Sequence, residues 1–388
     1  MNSLTAFWAV MAEGLPALSR FALNSVGQGR RHAARVDGID RQALEIALAR
    51  QRPGLMLDGV KALHRHDGTS GRIYAAVDHH GASGQPPLPQ DLFIKQLPIH
   101  RAGQLMACTL GIGLNEARIY DQITPSLPLR TPRCYGCWYD ERDGDFLIVL
   151  EVLPKDSTRF PDILSSCSLE EARHVVTGLA HMHAAFWQHP RFNGDLSWVL
   201  PQGTGSRGRL MQAVPYFGIG AALKKFPDMF APEVHRLGHR IRHSMEAIYR
   251  EWRRGPLTLV HGDTHLGNMY FDPATAAAGL LDWQVAHRGQ GMRDIAYFLI
   301  TSLDTEFRRA HQVELLTLYH QTLAAQLPQA PTRTELERQY RFHSIYAWLG
   351  AVITRAAQTM QSDRITEVSI ARVNAALLEM QVEDLLPH

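Results

Sequence analysis

The chain has 388 residues, of which 45% are hydrophobic and 20% charged, with a formal net charge of +2. This is ordinary globular composition, long enough for two packed lobes; it excludes a disordered chain and gives no reason to expect a nucleic-acid or membrane partner. Cys108, Cys134, Cys137 and Cys167 are too few for a disulfide framework, so a reducing, cytoplasmic compartment is expected.

The N-terminus, MNSLTAFWAVMAEGLPALSR, is apolar but has no basic start, and Glu13 interrupts it. It reads as an amphipathic segment that packs on the body, within an N-terminal helical extension covering residues 1–55. Residues 56–153 read as a strand-rich unit with one helix. Strands are expected at Val60–His64, Ile73–Asp78 and Leu92–Leu97, with a polar turn at His66-Asp67-Gly68-Thr69-Ser70-Gly71 and a Gly/Pro-rich loop from Gly81 to Gln90. A helix over Gln104–Ile123 ends at Thr124-Pro125, and two more strands follow near Arg133–Tyr139 and Phe146–Leu150. Cys134 and Cys137 form a lone C-x-x-C, read as small apolar strand residues because no second ligand pair at zinc spacing accompanies them.

From residue 154 to 388 the pattern turns mainly helical. Leu169–Trp187 has helical spacing, Pro190 to Gly208 is loop-like, and Leu210 to Trp252 reads as helix broken at Pro215 and Pro227. A strand-turn-strand block runs from Leu257 to Asp282. The remainder from Met292 is helical, interrupted near Pro328–Pro331. No run of about 18 apolar residues suggests a membrane span. The expected architecture is α+β, with a small β-rich N-lobe and a larger helical C-lobe joined near Glu151–Pro154 and a ligand cleft between them.

The chemistry concentrates in Leu259-Val260-His261-Gly262-Asp263-Thr264-His265-Leu266-Gly267-Asn268-Met269-Tyr270-Phe271. Asp263 and Asn268 have the D-x-x-x-x-N spacing of a kinase catalytic loop, and the later strand Gly279-Leu280-Leu281 ends in Asp282-Trp283. Phosphoryl transfer needs a divalent metal, positioning and an acceptor for the hydroxyl proton. Asn268 and Asp282 offer the hard oxygens Mg²⁺ prefers, and Asp263 is placed to orient and deprotonate an attacking hydroxyl. A hairpin between them brings residues 268 and 282 together.

H-G-D-x-H-x-x-N followed by a strand ending in Asp-Trp resembles the aminoglycoside phosphotransferase and choline kinase superfamily, closest to its ecdysteroid-kinase-like branch. Further similarity lies in Phe93-Ile94-Lys95, Asn115-Glu116-Ala117-Arg118-Ile119-Tyr120, Thr131-Pro132-Arg133-Cys134-Tyr135, Leu147-Ile148-Val149-Leu150-Glu151 and the segment Leu179 to Trp187. The resemblance covers about residues 55 to 305 and implies a two-lobed protein-kinase-like fold that uses ATP and Mg²⁺. It implies that Lys95 meets the α- and β-phosphates and that Glu116 pairs with it. Ser70, in a short Gly68–Gly71 turn, approaches the phosphates, and Glu151 to Leu153 form an adenine hinge. His261, His265 and Asp294 brace the catalytic loop. Gly262 stands where protein kinases carry Arg, which favours a small-molecule kinase.

Two other classes use the same residues. His261, Asp263 and His265 in alternation suit a metal-dependent hydrolase, although Lys95, Glu116 and Asp282 are then unexplained. A non-catalytic nucleotide-binding pseudokinase also fits, although nothing the reaction needs is missing. For the acceptor, residues 190–255 carry 11 Lys or Arg against 5 Asp or Glu. That excess disfavours a polycationic aminoglycoside and favours a neutral or anionic small-molecule alcohol, with antibiotic phosphotransfer as the alternative. Met211, Tyr216, Phe217, Phe226 and Phe230 either line an acceptor pocket or fill a core.

Overall fold

The computed structural model describes residues 35–386 apart from 69, 82–86, 143, 206–207 and 359–360, together with residues 5, 6 and 12. Most of the amphipathic N-terminal segment therefore lies outside the described residues, as do Thr69 of the polar turn and Arg207 of the basic stretch. Ala6 is buried against Ala213 and Tyr216.

A two-stranded pair, β1 (Arg35–Val36) and β2 (Ile39–Asp40), leads into helix α1 (Arg41–Ala49), whose N-terminus is capped by the Asp40 carboxylate accepting from Ala43 N. Then come β3 (Met56–Asp67), β4 (Gly71–His80) and β5 (Asp91–Gln96), helices α2 (Arg101–Leu110) and α3 (Ile112–Gln122), and strands β6 (Cys134–Asp140) and β7 (Asp145–Glu151). These strands make one antiparallel sheet in the order β3-β4-β5-β7-β6. The expected strands are all present, with β3 and β4 extended as a long hairpin. The single helix expected over Gln104–Ile123 is two helices, because Gly111 adopts a left-handed conformation (φ 69°) and starts a new axis.

Alternation along the strands gives the sheet two unlike faces. Ile73, Ala75, Leu92, Ile94, Leu147 and Val149 point to an outer core shared with Leu44, Ala47 and Leu48 of α1. Ile148 and Leu150 point the other way, into a core shared with Ala117 and Tyr120 of α3 that continues into the C-lobe. Close seating of α1 depends on Gly136, where an added Cβ would stand 2.1 Å from the Ala47 carbonyl oxygen.

The C-lobe begins with α4 (Leu169–Ala185), held by a Ser168/Glu171 capping box. Helix α5 (Gly208–Lys225) runs through Pro215 instead of breaking there. Proline has no N–H to donate to the carbonyl four residues back, and that Met211 oxygen instead accepts from the Tyr249 hydroxyl at 2.9 Å. The break at Pro227 is present, and α6 (Pro232–Trp252) follows it. Short strands β8 (Thr258–Val260), β9 (Met269–Phe271), β10 (Ala278–Leu280) and β11 (His287–Gly289) pair as β8 with β11 and β9 with β10. Helix α7 (Met292–Ser302) is buried along its whole length, and α8 (Thr305–Ala324), α9 (Arg333–Ala357) and α10 (Asp363–Glu379) complete the lobe. Among the described residues no helix is long and apolar enough to cross a membrane.

Candidate active site

A cavity of about 200 Å³ opens between the lobes. Tyr74, Phe93 and Leu150 line it from the sheet, Glu151, Val152 and Leu153 from the connection, and Gly267, Asn268, Leu281 and Asp282 from the C-lobe. Phe93 and Lys95 alternate with core residues on β5, so sheet geometry alone turns Lys95 toward this space. Lys95 Nζ donates to Glu116 Oε1 at 2.5 Å and lies 3.4 Å from Asp282 Oδ1. Glu116 is fully buried on α3 and accepts also from Trp283 N at 3.2 Å. Burial raises the Glu116 carboxyl and Lys95 opposes that rise.

The loop that carries Asp263 leaves β8 and is fastened by Asp294 at the start of α7. His261 N and Gly262 N donate to the Asp294 carboxylate at 2.7 and 2.8 Å, and His183 Nε2 lies 3.2 Å from it. Gly262 has φ +83°, and a Cβ there would meet the Val285 carbonyl oxygen at 2.8 Å; the turn that presents Asp263 needs glycine. Asn268 Nδ2 donates to Asp263 Oδ2 at 2.8 Å and to the Asp263 carbonyl at 3.0 Å, which commits the amide nitrogen and leaves the amide oxygen out of these bonds. The β9–β10 hairpin then closes: Leu281 N donates to the Asn268 carbonyl at 2.8 Å, and Asp282 follows in a left-handed conformation (φ 62°).

Burial alone would raise the Asp263 carboxyl. The neighbouring His265 and His261 imidazoles and the Tyr297 hydroxyl outweigh it and lower it to about 2. His265 Nε2 stands 3.6 Å from Asp263 Oδ2, and this neighbour raises the imidazole above its ordinary value despite burial. Asp294 is likewise lowered: burial opposes ionisation, but His183, His261 and the Gly262 amide favour it more.

The sequence-derived residues fall into three groups. Lys95, Glu116 and Asp282 meet directly, with Asn268, Glu151 and Leu153 on the same cavity. Asp263, His261, His265 and Asp294 form the adjoining loop and its brace. Ser70 stands apart: it is fully buried, its hydroxyl has no partner among the described residues, and it is not on the cavity wall. Both ring nitrogens of His261 are engaged, Nδ1 accepting from Asp263 N at 3.2 Å and Nε2 facing the Leu281 carbonyl at 2.8 Å, so this ring has no free nitrogen for a metal. The Cys134 and Cys137 sulfurs lie 3.4 Å apart as free thiols.

Sequence reading passed over three contributors. Arg72 Nη2 donates to Asp282 Oδ2 at 3.2 Å. Asn115 Nδ2 reaches the Gln284 and Ala286 carbonyls at 3.1 and 2.9 Å, tying α3 to the loop after Asp282. Tyr346 donates to the Gly262 carbonyl at 2.7 Å. In the basic stretch Arg191 pairs with Asp195, Arg236 with Glu233, Arg250 with Glu246 and Arg254 with Glu251, acids of the same stretch, and Arg240 meets Glu383 from outside it. Of its aromatics, Tyr216 and Phe230 are core residues and Phe217 is exposed.

The family model described as the ecdysteroid kinase-like family matches residues 206–331, a span that contains the catalytic loop and Asp282. Among curated proteins no relative matches. A candidate aminoglycoside phosphotransferase from Ralstonia eutropha JMP134 superimposes with a TM-score of 0.52 at 16% identity, over 90% of this chain and 99% of its own. Choline kinase LicA from Streptococcus pneumoniae gives 0.47 at 13% identity over 83% and 94% of the two chains. A candidate fructosamine-3-kinase from Thermobifida fusca YX-ER1 gives 0.47 at 18% identity over 88% and 99%. The two-lobed protein-kinase-like fold is thus borne out, and within residues 206–331 the chain resembles the ecdysteroid kinase-like family.

Proposed function

We propose that the chain is an ATP- and Mg²⁺-dependent phosphotransferase that moves the γ-phosphate to a hydroxyl of a small molecule. One observation carries the reading: Lys95 sits between Glu116 and Asp282 on the wall of an interlobe cavity, and Asn268 links that wall to Asp263. The donor set suits a magnesium nucleotide. Asp282 Oδ1 is buried without a hydrogen-bond partner among the described residues, Asn268 lines the same cavity, and carboxylate and amide oxygens are the hard ligands such a cation takes. Bound there, Mg²⁺ would neutralise charge on the phosphate oxygens.

In this reading Lys95, held in place by Glu116, meets phosphate oxygens, and the 151–153 connection receives the base. Asp263 accepts a hydrogen bond from the acceptor hydroxyl and takes its proton as that oxygen bonds to the γ-phosphorus and the bond from phosphorus to the departing diphosphate oxygen breaks. With its carboxyl as low as about 2, Asp263 is a weak base, so orientation is its larger share in a loose transition state. The domain division proposed is an extension over residues 1–55, a nucleotide-binding lobe over 56–153 and a catalytic and acceptor-binding lobe over 154–388. The acceptor is proposed to be a neutral or anionic alcohol, on the excess of Lys and Arg over Asp and Glu in residues 190–255.

The test is nucleotide consumption with Mg²⁺ across alcohol classes, beside two variants. Asp282→Asn is expected to abolish metal-dependent turnover. Asp263→Ala is expected to keep nucleotide binding and lower transfer by about 10²–10⁴-fold. Wild-type rates in either variant would overturn the assignment, and productive turnover of kanamycin-type amines would overturn the acceptor class alone.

A further inference from the structure

Asp282 is faced by a cation on each oxygen, and the two cations differ in freedom. The β4–β5 register pairs Arg72 with Lys95, so both side chains leave the same face of the sheet toward the cavity. Lys95 is 4% exposed and pinned to Glu116, whereas the Arg72 side chain is 40% exposed and its guanidinium touches only the rim of the carboxylate, at Oδ2. The charges of Lys95, Arg72, Glu116 and Asp282 sum to zero. A divalent cation entering alone would meet a neutral site in which one carboxylate oxygen is already hydrogen-bonded to a positive group. An entering phosphate brings negative charge that matches the planar fork of arginine better than one carboxylate oxygen does.

We propose that Arg72 is a latch on Asp282: it holds the carboxylate in the nucleotide-free protein, then transfers to a phosphate oxygen when nucleotide enters, freeing Oδ2 to join Oδ1 in holding the divalent cation. The proposal rests on the reading of Asp282 as a metal ligand. It makes metal and nucleotide binding mutually reinforcing through one side chain, which is a coupling between two ligands at adjoining sites. Arg72 is a positioning residue for the metal and a contact residue for the nucleotide.

The test uses the full chain and measures binding, not turnover. Mn²⁺ binding to the nucleotide-free protein is followed by loss of the free-ion electron paramagnetic resonance signal. Binding of a fluorescent adenosine diphosphate without metal is followed by anisotropy. Arg72→Ala is expected to tighten Mn²⁺ alone and to weaken metal-free nucleotide, each by roughly tenfold, the size of one charge-assisted hydrogen bond. Arg72→Lys, which keeps the charge but not the fork, is expected to fall between and serves if the alanine variant folds poorly. If Asp282→Asn removes Mn²⁺ binding while Arg72→Ala and Arg72→Lys leave it unchanged or weaker, the latch is wrong and the metal assignment stands. If Asp282→Asn binds Mn²⁺ as the parent does, the metal assignment fails and takes the latch with it.

Discussion

Asp294 shows how much of a catalytic loop can hang on one side chain. It receives two backbone amides of the loop and faces the His183 imidazole, all in the dry interior. Replacing it with alanine strands two buried N–H groups at about 1–3 kcal/mol each. Asp294→Ala is therefore expected to lose roughly 2–6 kcal/mol of unfolding free energy, read as a lower urea midpoint. The ionised neighbours make opposite demands on pH. The Asp263 carboxyl is depressed to about 2 from 3.8, so its contribution is present above 3.8 and lost as pH falls through about 2; it sets no acid limb near neutrality. The His265 imidazole is raised from 6.5, so its contribution is full below that value and lost as pH rises through the folded value. The melting-temperature gap between the parent and His265→Gln should accordingly narrow as pH climbs from about 6 to about 9. A gap that widens instead would mean that the ring is neutral beside Asp263.

Helix α3 couples the lobes twice, through Glu116 to the Trp283 amide and through Asn115 to carbonyls of the same loop. Asn115→Leu leaves those carbonyls without their side-chain donor while keeping the helix. It is expected to cost about 1–3 kcal/mol in the alignment of Asp282, seen as a roughly tenfold or larger fall in kcat/KM with a smaller change in melting. Element by element, the sequence was informative where punctuation is chemical. Thr124-Pro125 ended α3, and the Gly/Pro-rich loop separated β4 from β5. It was silent where a tertiary partner decides. Nothing local shows that Gly111 starts a second helix, since a glycine inside a helical pattern is usually tolerated. Pro215 reads as a break until Tyr249 is known to supply the hydrogen bond that proline forfeits.

Across the whole molecule, a nucleotide held by β5, the 151–153 connection and the β9–β10 hairpin would bridge both lobes. Magnesium nucleotide at about 100 times its Kd should then add about 2.7 kcal/mol, and the resulting rise in Tm should vanish in Asp282→Asn. That Asp263, Asn268 and Asp282 stand close together was legible because they flank one short hairpin and the loop before it. Arg72 was not, because its partner is 210 residues away and only strand register turns it inward. The charge count of residues 190–255 could not include Glu383, which meets Arg240 from 143 residues away, for the same reason.

Helix α1 has a practical consequence. It covers Tyr135, Leu147 and Val149 like a plug, with its backbone resting on Gly136. A shortened chain beginning after residue 50 would keep every residue assigned to the reaction yet bare an oily panel on the rear of its sheet. Such a fragment should self-associate during sedimentation, and adding back a synthetic peptide of residues 35–52 should disperse it.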